Sequence, residues 1–166
     1  MIINCLGEKN VQDTNPFFTS YKTPFEVPDF RAIKVDHFLP AIEKGIEKHK
    51  KEIAKIINNK EKPTFKNVII PMERSGKLLN KVVNFLFNQN ASCSSTKMRA
   101  VARKVTPLIS RHYDEIILNN RLFSKIKAVY DKKDQLAIDP EGKKVLEEYY
   151  NDFIRSGANL TGKEKD

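Results

Sequence analysis

A chain of 166 residues with 40% hydrophobic content can build one domain around a buried core. No apolar run approaches the roughly 20 residues that cross a bilayer, which excludes a membrane-spanning helix. Thirty basic against 21 acidic residues give a net charge of +9, leaving nucleic acid, an acidic protein surface or peptide carboxylates open as targets. Cys5 and Cys93 lie far apart in unrelated contexts, so they read as two unpaired thiols rather than a disulfide framework or a zinc spacing.

The first 14 residues form a polar tail. It has no apolar core of a secretory signal, and as written the chain reads as cytoplasmic. Ile2-Ile3-Asn4-Cys5 faintly resembles the end of a lipoprotein signal, which would tether Cys5 to the cell envelope if the true start lay upstream of Met1. Residues 15–35 follow as an extended arm. Pro16, Pro24 and Pro28 fix φ and push their predecessors out of the helical region. Phe17, Phe18, Tyr21, Phe25 and Phe30 then supply rings that anchor the arm against a helical body.

That body, residues 36–157, is expected to be all-α, an antiparallel bundle of about five helices over 36–58, 64–90, 96–118, 120–133 and 139–156. The first helix carries the stripe Leu39, Ile42, Ile46, His49, Ile53 and Ile56, with Pro40 near its start. On such a stripe His49 is a packed or hydrogen-bonded side chain before it is a ligand. The second, capped by Thr64, is the central one. Phe65, Val68, Met72, Leu79, Val82 and Leu86 line one face, and Ile69, Val83, Phe85 and Phe87 widen it. Pro71 inside it should cost roughly 3 kcal/mol unless the helix bends. Met98, Val101, Val105, Leu108, His112 and Ile116 mark the third, with a kink or short break at Pro107 near Thr106. Phe123, Ile126 and Tyr130 give a shorter fourth. Asp139-Pro140-Glu141 opens the fifth, which closes at Gly157.

Between Glu73 and Asp114 there is no carboxylate, while Arg74, Lys77, Lys81, Lys97, Arg99, Arg103, Lys104 and Arg111 fall inside. These eight charges nearly equal the net excess and define a candidate basic binding face. A solvated lysine-rich surface would look the same, and a charge run of this kind is weak evidence for nucleic acid, which is the less expected target. No catalytic constellation and no metal-ligand spacing is present. The three histidines, His37, His49 and His112, include no pair four residues apart. At the end of the chain, residues 158–166, Thr161 and Glu164 match a capping box with Leu160 as its hydrophobic staple. A helix start so close to Asp166 reads as the front end of something longer.

Five segments carry a resemblance in unbroken order: HFLPAIEKGI (His37–Ile46), NNKEKPTFKNVI (Asn58–Ile69), RSGKLL (Arg74–Leu79), LNNRLFSKIKAVYD (Leu118–Asp131) and FIRSGANLTGKEK (Phe153–Lys165). From about Asn15 onward the chain resembles the N-terminal helical region of the thimet-oligopeptidase-like zinc metallopeptidases, in particular bacterial dipeptidyl carboxypeptidases (peptidyl-dipeptidases) and oligopeptidase A. The resemblance implies a large helical enzyme with a deep channel, whose zinc is held by an H-E-x-x-H motif and a later glutamate far beyond the matched region. No catalytic or metal residue carries over, so zinc belongs to the full-length enzyme and this chain alone should be inactive. The partners implied are the missing catalytic domain and, in the full-length enzyme, peptides. The alternative is a stand-alone helical module whose basic face takes an acidic protein or nucleic acid. If a catalytic body is to cover this lobe, Ile69, Phe85, Phe87 and Tyr150 are the apolar side chains expected to await it.

Overall fold

The computed structural model describes residues 15–157 apart from Lys22, Phe25 and Glu26. The polar tail, Cys5 and the capping box at Thr161 lie outside the described residues. Among those described there is no strand, and five long helices carry the fold: α1 (Phe38–Asn58), α3 (Lys77–Ser92), α4 (Thr96–Ile117), α5 (Asn120–Tyr130) and α6 (Pro140–Arg155). A short α2 (Ile70–Arg74) precedes α3.

The central helix expected over 64–90 is not one helix. It opens with a wide π turn at Phe65–Ile69, passes into α2, breaks at Ser75–Gly76 and resumes as α3. Thr64 caps the start as expected: its hydroxyl accepts from Asn67 N–H, and the Asn67 side chain accepts from Thr64 N–H. The wide turn accommodates Pro71. Ile70 N–H reaches back five residues to Phe65 C=O, and the proline then enters the first turn of α2, where a missing donor is harmless. The break needs Gly76, which adopts φ +67° and whose missing Cβ would stand 2.9 Å from the His49 ring.

Pro107 has less effect than its position suggests. Helix α4 runs through it without a break, with Pro107 exposed and the Thr106 hydroxyl bonded to Ala102 C=O at 2.8 Å. The start signal at Asp139 holds: Asp139 accepts from Gly142 N–H at 2.7 Å, and α6 ends before Gly157 at φ +82°.

Helix α1 is shared by two separate cores. Its N-terminal half packs antiparallel to α3, with Phe38 beside Phe85 and Gly45 beside Leu79, and α4 closes this first core through Met98, Val105 and Ile109. The arm is anchored here by its rings. Phe17 is buried between Phe38 and Phe85, with ring centroids at 5.3 and 5.6 Å, and Phe30 meets Phe85 at 5.0 Å. Asn15 fixes the entry, donating to His37 C=O and accepting from Phe17 N–H.

The C-terminal half of α1 serves the second core. Ile53 and Ile56 meet Val68, Ile69 and Met72, and the antiparallel α5 and α6 cover them with Leu122, Ile126, Leu146 and Phe153. Tyr130 stacks on Tyr150 at 3.8 Å along the rim. Of the apolar residues expected to remain uncovered, Ile69 is fully buried, while Phe85 and Tyr150 are half-buried within ring clusters. Only Phe87, 40% exposed, stands out from the surface as anticipated.

Candidate functional site

Two polar features stand out in this apolar frame. The first lies at the seam between the two cores. His49 of α1 and His112 of α4 face each other nitrogen to nitrogen, Nδ1 to Nε2 at 2.9 Å, and His49 Nε2 lies 3.1 Å from Ser75 Oγ. Ser75 Oγ also lies 2.7 Å from Met72 C=O and donates its single hydrogen there, so it accepts from His49 Nε2–H. His49 Nδ1 then accepts from His112 Nε2–H, and His112 Nδ1 is left as a buried lone pair without a partner. The opposite sense would bury an unpaired N–H instead, which is the costlier orphan.

Both imidazoles are therefore neutral. Burial lowers the His112 pKa to about 4, reinforced by the unfavourable pairing of a second cationic imidazole with His49 and by the Lys50 charge, and burial holds His49 below its ordinary value against the pull of Glu52. Glu52 is itself committed, accepting Gly76 N–H at 2.8 Å. The node thus ties α1, α4 and the α2–α3 break together. It is not a nucleophile pair, because the Ser75 hydrogen is spent on a carbonyl and His49 is the donor. Nor does it fit a zinc ion. Two imidazole nitrogens on one tetrahedral zinc stand on the order of 3.3 Å apart and point at the metal rather than at each other. Among the described residues no group of three or more His, Cys, Asp or Glu is gathered to hold a metal.

The second feature is a basic groove, which divides the candidate face differently from its order in the sequence. Lys77 and Lys81 line a hollow of about 740 Å³ between α1, the start of α3 and the arm at Phe17–Ser20. Helix α1 contributes Lys44, Lys48 and Lys51 to it. An adjoining hollow of about 760 Å³ continues along α1 past Lys55 to Asn59, with Arg74 opposite, and with Lys62 from the segment before Thr64 and Lys66 from the π turn at its far end. The α1 lysines recur every three or four residues, a spacing that puts them on one face. That spacing is visible in the sequence, where it marks the polar side of an amphipathic helix. What it could not reveal is that α2–α3 folds back beside this face.

Three glutamates also line the groove, and each has a partner. Glu47 is clasped by Lys44 and Lys51, which lowers its pKa to about 2, Glu52 holds Gly76, and Glu61 accepts from Asn67. Lys48, Lys55, Arg74 and Lys77 form no ion pair among the described residues. Lys81 sits 3.8 Å over the Tyr21 ring and 3.5 Å from the carbonyls of Phe17 and Thr19. The remaining candidates, Lys97, Arg99, Arg103, Lys104 and Arg111, are exposed on α4 and line neither hollow, with Arg99 bonded to Ser94 and Thr96.

Fold and site together define an all-helical lobe with a basic groove and no gathered catalytic or metal-binding set among the described residues. Over about nine-tenths of its length this lobe is similar to dipeptidyl carboxypeptidases and oligopeptidases A, as its five sequence segments indicated. It is 29% identical over 151 residues to the dipeptidyl carboxypeptidase of Escherichia coli (strain K12), covering 91% of this chain and 22% of that protein. It is 28% identical over 152 residues to the Salmonella typhimurium dipeptidyl carboxypeptidase, covering 92% and 22%. Against oligopeptidase A of E. coli the figures are 24% over 147 residues, 89% and 21%. The chain therefore spans about a fifth of the length of these relatives. No family model matches it. No helix among the described residues is long and apolar enough to cross a membrane.

Proposed function

We propose that this chain is the N-terminal, non-catalytic helical part of a zinc-dependent peptidyl-dipeptidase or oligopeptidase, and that it forms part of the wall of a substrate channel. The observation that carries this reading is the similarity to peptidases along nine-tenths of the chain and only about a fifth of theirs. Its own residues would exclude folded proteins and bound the path of a peptide. Zinc, supplied and held by residues elsewhere in the full-length enzyme, would provide Lewis-acid chemistry. The gathered polar groups support a structural role, since the His49–His112 node spends its hydrogen bonds on joining helices.

A chimera tests the proposal. The segment of the E. coli dipeptidyl carboxypeptidase that matches this chain is replaced by residues 15–157, and release of a carboxyl-terminal dipeptide from a blocked tripeptide is followed with and without a chelator. The folded chimera is expected to release the dipeptide in a chelator-sensitive manner, while this chain alone, supplied with zinc, does not. Activity of the chain alone, or a folded but inactive chimera, overturns the reading.

A further inference from the structure

We propose that the groove between α1 and the α2–α3 segment binds an extended, acidic stretch of polypeptide. This goes beyond the peptidase reading and does not depend on it. From Lys44 to Asn59 the groove follows 15 residues of α1, which at 1.5 Å per residue is about 22 Å. That length accommodates roughly six or seven residues of extended chain. Lys44, Lys48, Lys51 and Lys55 form one bank, and Arg74, Lys77 and Lys81 the other. Nine lysine and arginine side chains line the two hollows against three glutamates, so positive charge is in surplus.

The lining distinguishes a peptide from a nucleic acid. Single strands are held by rings on which bases stack, and among the described residues rings line the groove at one end, at the buried Phe17 and at Phe18. The second hollow has no aromatic residue in its wall. It offers instead oxygens whose lone pairs are only partly used within the fold, at Glu52, Asn59, Glu61, Thr64 and Asn67, interleaved with the cations. A phosphodiester backbone brings almost no donors to meet them. An acidic peptide brings carboxylates for the lysines and backbone N–H groups for the acceptors.

The test is fluorescence anisotropy of the full chain with a fluorescein-labelled octaglutamate, at low and moderate salt, with unlabelled dT12 as competitor. Octaglutamate should bind, weaken as salt rises and resist displacement by dT12. Lys48→Glu with Lys77→Glu, both exposed and unpaired, should weaken it by about tenfold or more, whereas Lys97→Glu with Lys104→Glu on α4 should leave it within about twofold. Circular dichroism checks that both double variants are folded. Chemical-shift mapping on the unaltered chain supplies a second readout, with perturbations expected at Lys48, Asn67 and Lys77. No binding, equal loss in the two double variants, shifts centred on α4, or tighter binding of dT12 would each overturn the proposal.

Discussion

The two cores that share α1 are built on different principles. In the first, backbone approaches backbone: Gly45 lies so close to α3 that a Cβ there would stand 2.9 Å from the Leu79 Cα. In the second, helices are held apart by side chains. Ile126 and Leu146 are fully buried, Phe123 stacks on Phe153 at 6.0 Å within the core, and Tyr130 stacks on Tyr150 at 3.8 Å along the rim. The lesson is that one half is vulnerable to added atoms and the other to removed ones. Between them the histidine node replaces apolar contact with directed hydrogen bonds.

The largest effect should come from emptying the second core. Leu146→Ala removes a side chain with no exposed surface and should cost about 3 kcal/mol, read as a lowered urea midpoint at unchanged slope. A loss under about 1 kcal/mol would mean that α6 is only loosely docked. Next is the opposite operation in the first core. In an ordinary helix interior Gly→Ala gains up to about 1 kcal/mol. Gly45→Ala should instead destabilise by about 2 kcal/mol, because the atom it meets belongs to backbone and α3 must shift. A stabilised variant would show that the two helices separate easily and would end the contrast between the cores.

The seam should reveal itself through pH. The His112 pKa lies at about 4 in the folded chain against an ordinary value near 6.5, so between those values the unfolded chain binds the extra proton. The contribution is complete above pH 6.5 and is lost as pH falls toward 4. Between pH 6.5 and 5, above the range of most carboxylates, this should remove on the order of 1 to 2 kcal/mol. His112→Leu should flatten that decline, measured as urea midpoints at the two pH values. An equally steep decline in the variant would move the titration elsewhere.

Much of this architecture was legible in the sequence, where local signals and packing agree. Thr64, Asp139 and the apolar stripe of α1 each combine a cap or period with a buried face, and all act as read. The break at Gly76 was not recovered, although Ser75-Gly76 is a turn signal, because the apolar period continues across it. Gly76 is required by the His49 ring, a contact made across 27 positions of chain. The groove was half visible for a similar reason: a run without carboxylates is contiguous in sequence, whereas the charges that converge come from α1 and α2–α3.

The prolines sharpen the point at smaller magnitude. Pro71 is absorbed by a wide turn and Pro107 sits inside α4, so only the second leaves a helix short of a bond. Pro107→Ala should stabilise by about 1 kcal/mol, and Pro71→Ala should gain nothing, in parallel thermal melts. Equal gains would mean that the π turn does not relieve Pro71.

The smallest effect concerns the exposed pair Lys50–Glu115, which bridges α1 and α4 beside His112. At neutral pH it should matter little, since both partners are solvated and an exposed ion pair offsets its attraction with lost side-chain freedom. Its influence is on the node. The Lys50 charge lowers the His112 pKa and the Glu115 charge raises it. Lys50→Met removes the repulsion and leaves the carboxylate, so His112 should titrate at a higher pH and the acid loss of stability should become shallower. Glu115→Gln does the reverse, lowering the His112 pKa further and steepening the loss. The measurement is the pH titration of the His112 ring protons by NMR in the two variants. Shifts of opposite sign would establish that the seam feels the surface of α1 and α4. Coincident titrations would mean that burial alone sets His112, and that the two cores are coupled through the imidazole pair without help from the charges above it.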